Sequence, residues 1–88
     1  MAAYKIVFKA SVDKDLADLP KNVVVRVWQR LELLKQEPFP RQALKLEGSE
    51  GLHRLRVGDY RIIYGVDVKS KVVVVHHIRH RREVYRRL

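Results

Sequence analysis

Three arginines lie in a stretch of the chain whose pattern otherwise predicts a half-buried β-hairpin. The stretch runs from Gly51 to Tyr64, GLHRLRVGDYRIIY, and its arginines are Arg54, Arg56 and Arg61. A guanidinium stays charged at neutral pH and binds the oxygens of phosphate or carboxylate through paired hydrogen bonds. The residue types therefore favour binding of an anion, which is either a carboxylate of this protein or an external group.

The alternation of polar and apolar residues predicts where these arginines point. In RLRV, Arg54 and Arg56 alternate with apolar neighbours, as in a strand with one buried face. After a turn at Gly58-Asp59, the run YRIIYGV places Arg61 in mid-strand, where an unpaired guanidinium is costly to bury. A solvated sheet face that binds nothing is the alternative. The second strand is expected to carry Ile62, Tyr64 and Val66 on its buried face, with Arg61, Ile63 and Gly65 opposite.

The first half of the chain predicts one strand and two helices. YKIVF alternates as an opening strand, and Ser11 or Asp13 can cap a helix that ends before Pro20. NVVVRVWQRLELLKQ is locally ambiguous because its β-branched valines favour a strand, but its longer period of 3.6 residues indicates a helix. The apolar stripe of this second helix is expected to contain Val24, Val27, Trp28, Leu31 and Leu34.

The remaining segments complete the predicted fold. Residues 41 to 51 are expected to form a loop, which Ala43, Leu44 and Leu46 pin to the body. KVVVVHHIRHR begins with four valines and no polar alternation, which is typical of a central strand covered on both faces. The chain, residues 1–88, is therefore predicted to be a single α+β domain: a strand, a helical hairpin and a three-stranded antiparallel meander, with the helices on one face of a four-stranded sheet.

Composition restricts the partners that this domain can have. The formal net charge is +9, and residues 51 to 88 hold most of it, with ten basic and three acidic side chains. Such a field favours nucleic acid, an anionic membrane or an acidic protein segment. Cysteine is absent, and neither a signal peptide nor a membrane-spanning run is recognisable, so a cytoplasmic soluble protein is expected. His76, His77 and His80 are not expected to bind a metal, since adjacent strand residues point to opposite faces and no carboxylate accompanies them.

The order of elements, together with KLEGSEGLHRLRVGDYRIIY and the closing HRREVYR, resembles the RelE branch of the RelE/ParE superfamily of toxins. The resemblance covers nearly the whole chain. It implies a catalytic arginine at Arg61, basic strand residues at Arg54 and Arg56, and a terminal tyrosine at Tyr85. The late arginine of the family matches Arg81, with Arg79 as the alternative. Further RNA contacts are expected from Arg54, Arg56, Arg79, Arg82 and Arg86.

The resemblance also implies an activity and its partners. It implies a type II toxin that enters the ribosomal A site and cleaves mRNA. A cognate antitoxin with an acidic segment is expected to inhibit this toxin by forming a hetero-oligomer with it. Metal-free RNA cleavage needs cations to stabilise the phosphorane, which suits the arginines, and a proton carrier, which Tyr85 or His80 can supply. No cofactor is required.

Two other classes of function remain open. The ParE branch has the same fold but poisons DNA gyrase, and retention of Arg61, a late arginine and Tyr85 argues against that branch. A noncatalytic nucleic-acid-binding domain is the third possibility, because an arginine-rich tail also binds nucleic acid without sequence preference.

Overall fold

The computed structural model describes residues 3–46, 48 and 51–80 and shows two helices packed on a five-stranded sheet. The sheet has the strand order β1-β5-β4-β3-β2. This arrangement confirms the predicted α+β fold, with one strand more than expected. The elements are β1 (Lys5–Phe8), α1 (Ala10–Ala17), α2 (Lys21–Gln36), β2 (Leu44–Lys45), β3 (Leu52–Val57), β4 (Tyr60–Asp67) and β5 (Val72–His80).

The additional strand, β2, lies within the segment that was predicted to be a loop. Its two residues pair antiparallel with β3, so that Leu44 is opposite Arg54 and Lys45 is opposite His53. A two-residue strand is too short to show an alternating pattern, so the sequence did not indicate it. Of the residues predicted to pin this segment to the body, Leu46 is buried, whereas Leu44 is largely exposed and the prediction was wrong for it.

β5 occupies an interior position, as its four valines predicted. It pairs antiparallel with β4 on one side and parallel with β1 on the other, where Lys5 is opposite Val72 and Phe8 is opposite Val75. Parallel pairing requires a crossover connection, and the two helices lie in that connection along the chain. The helices cover one face of the sheet, and a buried core fills the space between them.

The helix α1 begins without the predicted side-chain cap. Lys9 occupies the N-cap position and makes no capping hydrogen bond through its side chain. Ser11 was one of the two predicted caps, but its hydroxyl donates to the carbonyl oxygen of His76 at 3.1 Å. Asp13, the other predicted cap, lies within the first turn. The prediction of a Ser11 or Asp13 cap was therefore wrong, and Ser11 ties the helix to β5.

The set of residues that α2 buries in the core is rotated slightly about the helix axis from the predicted apolar stripe. Its buried residues are Val23, Val27, Leu31 and Leu34. Trp28 was predicted to be a core residue, but 43% of it is exposed, and its ring packs edge-on against Phe8 at a centroid distance of 5.5 Å. Both Val23 and Val24 fit the helical period, so periodicity alone could not fix the rotation of the helix.

A β-bulge in β5 shifts the alternation of the strand by one residue. Ile63 is opposite His77, whereas the next residue of β4, Tyr64, is opposite Val75, so that His76 is the extra residue. The buried positions record the same shift, because they run Val73, Val75 and then Ile78. An extra residue of this kind redirects the side chains that follow it. In β5 it turns Ile78 into the core and Arg79 outward.

Candidate functional site

Three arginines lie opposite one another across the middle of the sheet. Arg56 of β3 is the register partner of Arg61 of β4, and Arg61 is in turn the partner of Arg79 of β5. Their strand neighbours Val57 and Ile62 are buried beneath the helices, so alternation directs the arginines to the other face. We call Arg56, Arg61 and Arg79 the arginine row, and the sheet face that carries them the arginine face.

Two residues along each strand, the next register position on the same face adds one arginine and one histidine. Arg54, Ile63 and His77 are opposite one another on β3, β4 and β5. Ile63 is 1% exposed and packs against Leu46, which covers this part of the sheet from the segment that follows β2. Arg54 and Arg61 each keep only part of their side chains in contact with solvent. On the arginine face, the buried side chain of Ile63 therefore lies among arginines that contact solvent.

The bulge places both His76 and His77 on the arginine face. His77 is opposite Ile63, and His76 approaches Gly65, where an added Cβ would lie 3.6 Å from the imidazole Nε2. The expectation that these two side chains point to opposite faces was wrong, because it assumed unbroken alternation. Burial lowers the pKa of His76, and nearby Lys9 and His77 add to that effect. No group of metal-ligating side chains forms among the residues that the structure describes.

The carboxylate of Asp15 holds the end of β5 that carries Arg79. β1 ends at Phe8, which leaves the later residues of β5 without a strand neighbour on that side, and α1 lies there instead. The Asp15 side chain is 13% exposed, with Oδ1 3.7 Å from Nε of Arg79 and Oδ2 4.0 Å from Nδ1 of His77. Sequence reasoning missed Asp15, because nothing in a helical pattern indicates that one acidic residue faces a distant strand.

His80, one of the two predicted proton carriers, lies away from the arginine row. Its register partner is Tyr60, and the two rings meet edge-on at a centroid distance of 5.3 Å. Tyr60 packs against the core beneath the helices, so this pair lies on the helix-covered side. The structure therefore brings Arg54, Arg56, Arg61 and Arg79 together, and it separates His80 from them.

Several predicted site residues fall beyond the described part of the chain. The late arginine Arg81 and the terminal Tyr85 are among them, together with the predicted RNA contacts Arg82 and Arg86. Of the two candidates for the late arginine, Arg79 is the one that the structure describes. It belongs to the arginine row.

The chemistry available to the described residues is that of an anion site. Several guanidinium groups share one face, and His76 and His77 supply imidazoles beside them. Tyr64 does not contribute, because it is fully buried and its hydroxyl donates to the carbonyl oxygen of Pro38 at 2.9 Å. Helices that could cross a membrane are absent from the part of the chain that the structure describes.

Comparison with known proteins identifies the family. A family model described as the ParE toxin of type II toxin-antitoxin systems matches residues 6–85. Toxin RelE1 of Methanocaldococcus jannaschii is 30% identical over 76 residues, which cover 83% of this chain and 84% of that protein. Toxin RelE3 of the same organism is 27% identical over 89 residues, covering 92% of this chain and 94% of that protein.

Solved structures give the same result. The archaeal RelE–RelB complex of Pyrococcus horikoshii OT3 contains a chain with 37% identity and a TM-score of 0.79, covering 92% of this chain and 97% of that one. The toxin–antitoxin complex RelBE2 of Mycobacterium tuberculosis matches with 28% identity and a TM-score of 0.77, covering 89% of this chain and 98% of that one. The isolated RelE toxin of E. coli, at 22% identity and a TM-score of 0.77, shares the fold; that match covers 98% of this chain and 100% of that one.

The fold and the matched family model define a toxin of the type II toxin-antitoxin class. Within that class, the chain belongs to the RelE/ParE superfamily, and its curated relatives are RelE toxins, as the sequence resemblance indicated.

Proposed function

We propose that this toxin is an endoribonuclease that cleaves mRNA in the ribosomal A site. The observation that carries the proposal is the arginine row, in which Arg56, Arg61 and Arg79 are register partners across three adjacent strands. Like charges placed directly opposite one another destabilise a sheet. A row of this kind is therefore expected where function requires it, and a phosphodiester is an anion that several guanidinium groups can share.

The arginine row suits the stabilisation of a phosphorane. In metal-free cleavage the 2′-oxygen of the substrate forms a bond to the adjacent phosphorus, and the bond from phosphorus to the 5′-oxygen breaks. The products are a 2′,3′-cyclic phosphate and a 5′-hydroxyl, and negative charge grows on the phosphoryl oxygens between them. Fixed cations stabilise that charge, and loss of one such donor costs about 10² to 10³ in rate.

Cleavage also requires two proton transfers, for which the site has fewer candidate residues than it has cations. One group must accept the proton of the 2′-hydroxyl, and another must protonate the leaving 5′-oxygen. Resemblance to the family assigns proton transfer to Tyr85. His77 is a second candidate, because it lies on the arginine face two residues before Arg79 in β5. His80 is the weaker candidate, since it pairs with Tyr60 on the helix-covered side.

A site with strong cations and weak proton carriers depends on the orientation of its substrate. Holding the 2′-hydroxyl in line with the phosphate is worth an effective molarity of up to about 10⁵ to 10⁸ M. A ribosome that presents a bent codon can supply this orientation. We therefore expect slow cleavage of free RNA and rapid cleavage of translated message, which also implies a cytoplasmic location.

Programmed ribosomes provide the test. Wild-type protein and Arg61→Ala are compared by primer extension on translated message without added metal, with Lys69→Ala as a control, because Lys69 is an exposed cation in the turn before β5. We expect cutting by the wild type and by the Lys69 variant, with 5′-hydroxyl ends, and a loss of about 10² or more for the Arg61 variant. Intact message with wild-type protein would contradict the proposal.

A cognate antitoxin is the second partner that we propose. The relatives from Pyrococcus horikoshii and Mycobacterium tuberculosis were solved as complexes with their antitoxins, and the arginine face offers this chain a cationic surface for an acidic segment. Electrostatic guidance raises association rates and is screened by salt. The association rate with the antitoxin is expected to fall as ionic strength rises; a constant rate would argue against an acidic segment.

Poisoning of DNA gyrase is the alternative function, and the ParE description of the matched family model favours it. A supercoiling assay with the same preparation separates the two functions. Inhibited gyrase together with intact message would establish the alternative in place of RNA cleavage.

A further inference from the structure

A depression lies beside the arginine row, where helix α2 meets the edge of the sheet. Its volume is about 510 Å³. Besides the β3–β4 turn, four segments contribute its walls: α2, the chain around β2, the end of β3 and the start of β4. The lining residues are Arg30, Gln42, Leu44, Arg56, Gly58 and Arg61.

Three cations from different elements converge on this depression. Arg30 comes from α2, Arg56 from β3 and Arg61 from β4, and no acidic residue is among the lining side chains. Within the described part of the chain, neither Arg30 nor Arg56 forms an ion pair with a carboxylate. The Arg56 side chain is nevertheless held in place, because its Nε donates to the carbonyl oxygen of Gly58 at 2.8 Å.

The remaining lining residues are suited to more than an inorganic anion. Leu44 is 53% exposed although it is a large aliphatic residue, and it lies on the wall of a depression otherwise rich in guanidinium groups. Gln42 adds an amide that both donates and accepts hydrogen bonds. A nucleotide has the matching parts: a phosphate for the arginines, and a ribose and base for the aliphatic and amide side chains.

The depression lies where an RNA strand bound to the arginine row would continue. Arg56 and Arg61 belong both to the depression and to the arginine row. Adjacent strands are about 4.8 Å apart, so a single RNA strand that crosses the row from β5 toward β3 continues into the depression. Arg56 then lies one strand beyond Arg61 along that path, and Arg30 lines the depression into which the path leads.

We propose that the depression binds the nucleotide next to the scissile phosphate, and that Arg30 of α2 is a phosphate-binding residue of the site. Arg30 holds the phosphate of this nucleotide, Leu44 packs against its ribose or base, and Arg56 lies between this phosphate and the scissile one. The proposal rests on the proposed function for the identity of the strand. It adds to the site a residue of α2, Arg30, which lies outside the apolar stripe predicted for that helix.

Salt dependence of RNA binding tests the role of Arg30. The affinity for a short single-stranded RNA with 2′-O-methyl groups, which block cleavage, is measured at a series of salt concentrations for the folded full-length chain. Each phosphate neutralised on a single strand contributes about 0.7 to the slope of log affinity against log salt. Arg30→Ala is expected to reduce the slope by about 0.7, and Arg30→Lys is expected to keep it.

Arg41→Ala is the matched control, because it removes the same charge from an exposed position one residue before Gln42 but outside the depression. Its slope is expected to equal that of the wild type. An equal reduction by Arg41→Ala and Arg30→Ala, or an unchanged slope for Arg30→Ala, would overturn the proposal, because Arg30 would then contribute only to the general field.

Leu44→Ala separates the nucleoside contact from the charges. This variant is expected to weaken RNA binding by the same factor at every salt concentration, with an unchanged slope. If Arg30→Ala instead weakens only the binding of an acidic peptide and leaves RNA binding intact, the occupant is a protein segment and the proposal is wrong. Because the probe cannot be cleaved, these outcomes do not depend on whether the ribosomal activity is found.

Discussion

Oδ2 of Asp15 accepts a hydrogen bond from the backbone N–H of Ile78 at 3.0 Å. The bond joins helix α1 to the part of β5 that follows the end of β1, and it fixes the residue before Arg79. Oδ1 of the same carboxylate faces the guanidinium of Arg79. Asp15 therefore performs two tasks: it satisfies a strand N–H, and it orients one member of the arginine row.

Substitution of Asp15 is expected to separate these two tasks. Asp15→Ala leaves a partly buried N–H without its acceptor and should lower the free energy of unfolding by about 1 to 3 kcal/mol. Asp15→Asn retains an acceptor oxygen but no charge, so most of the stability should remain while cleavage of ribosome-bound message falls. Urea denaturation and primer extension measure the two effects. Asp13→Ala, on the exposed side of the same helix, serves as the control, and equal destabilisation by both alanine variants would contradict the assignment.

Arg61→Ala is expected to abolish growth inhibition without unfolding the protein. Arg61 lies between Arg56 and Arg79, and removal of the central charge relieves repulsion worth about 0.2 to 1 kcal/mol per opposed pair. Stability should therefore change little or increase. Arg61→Lys retains a point charge but not the paired hydrogen bonds, so it should be intermediate in activity. Thermal unfolding and growth measured together decide, and a fully toxic or an unfolded alanine variant would refute the catalytic role.

The buried phenol of Tyr64 predicts a loss of stability at alkaline pH. Burial raises the pKa of Tyr64 to about 12 from its ordinary value of 10. The unfolded chain therefore releases the phenol proton of Tyr64 at lower pH than the folded chain does. The contribution of the neutral phenol to the free energy of unfolding is complete below pH 10 and declines as the pH rises toward 12. Over the full interval the decline is roughly 3 kcal/mol.

Tyr64→Phe isolates this contribution. At neutral pH the variant should be less stable by about 1 kcal/mol, because the carbonyl of Pro38 loses its donor. Above pH 10 the difference should shrink and then reverse, since phenylalanine does not ionise. Urea unfolding of both proteins across this range provides the measurement. A difference that stays constant with pH would show that the hydroxyl ionises as readily in the folded chain as in the unfolded one.

A substitution in the turn between β3 and β4 measures how firmly α2 contacts the edge of the sheet. Gly58 has a φ of 60°, and an added Cβ would lie 3.1 Å from Nη1 of Arg26. Gly51 has a φ of 78° with nothing within 4 Å of its added Cβ. Both alanine variants should lose about 1 to 2 kcal/mol through backbone strain. Gly58→Ala should cost only slightly more, because Arg26 can move its flexible end; a much larger cost in urea unfolding would show that Arg26 is fixed against the turn.

Most of the architecture was predictable from local patterns. The alternation around Arg54, Arg56 and Arg61 correctly predicted a hairpin with its arginines on one face, and the valines of β5 correctly predicted an interior strand. These features depend on residues close together in the chain, where periodicity is informative.

The parts that were not predictable depend on distant contacts or on a single extra residue. The bulge at His76 interrupts the alternation and determines which face carries Arg79, and no propensity of a His-His pair indicates it. Asp15 and Arg30 belong to helices, and their relation to the arginine face arises only when the helices pack. The catalytic assignment of Tyr85 lies outside the described residues and stays a prediction.

The parallel pairing of β1 with β5 has a consequence for the synthesis of the toxin. Lys5 pairs with Val72 and Phe8 with Val75, so β1 finds its partner only after β5 has been synthesised, 67 residues later. Contacts between residues so distant in sequence form slowly, and they cannot form while the later strand is still inside the ribosome. The arginine row also includes β5. A nascent chain whose β5 has not yet left the ribosome therefore lacks both the pairing partner of β1 and the Arg79 member of the arginine row.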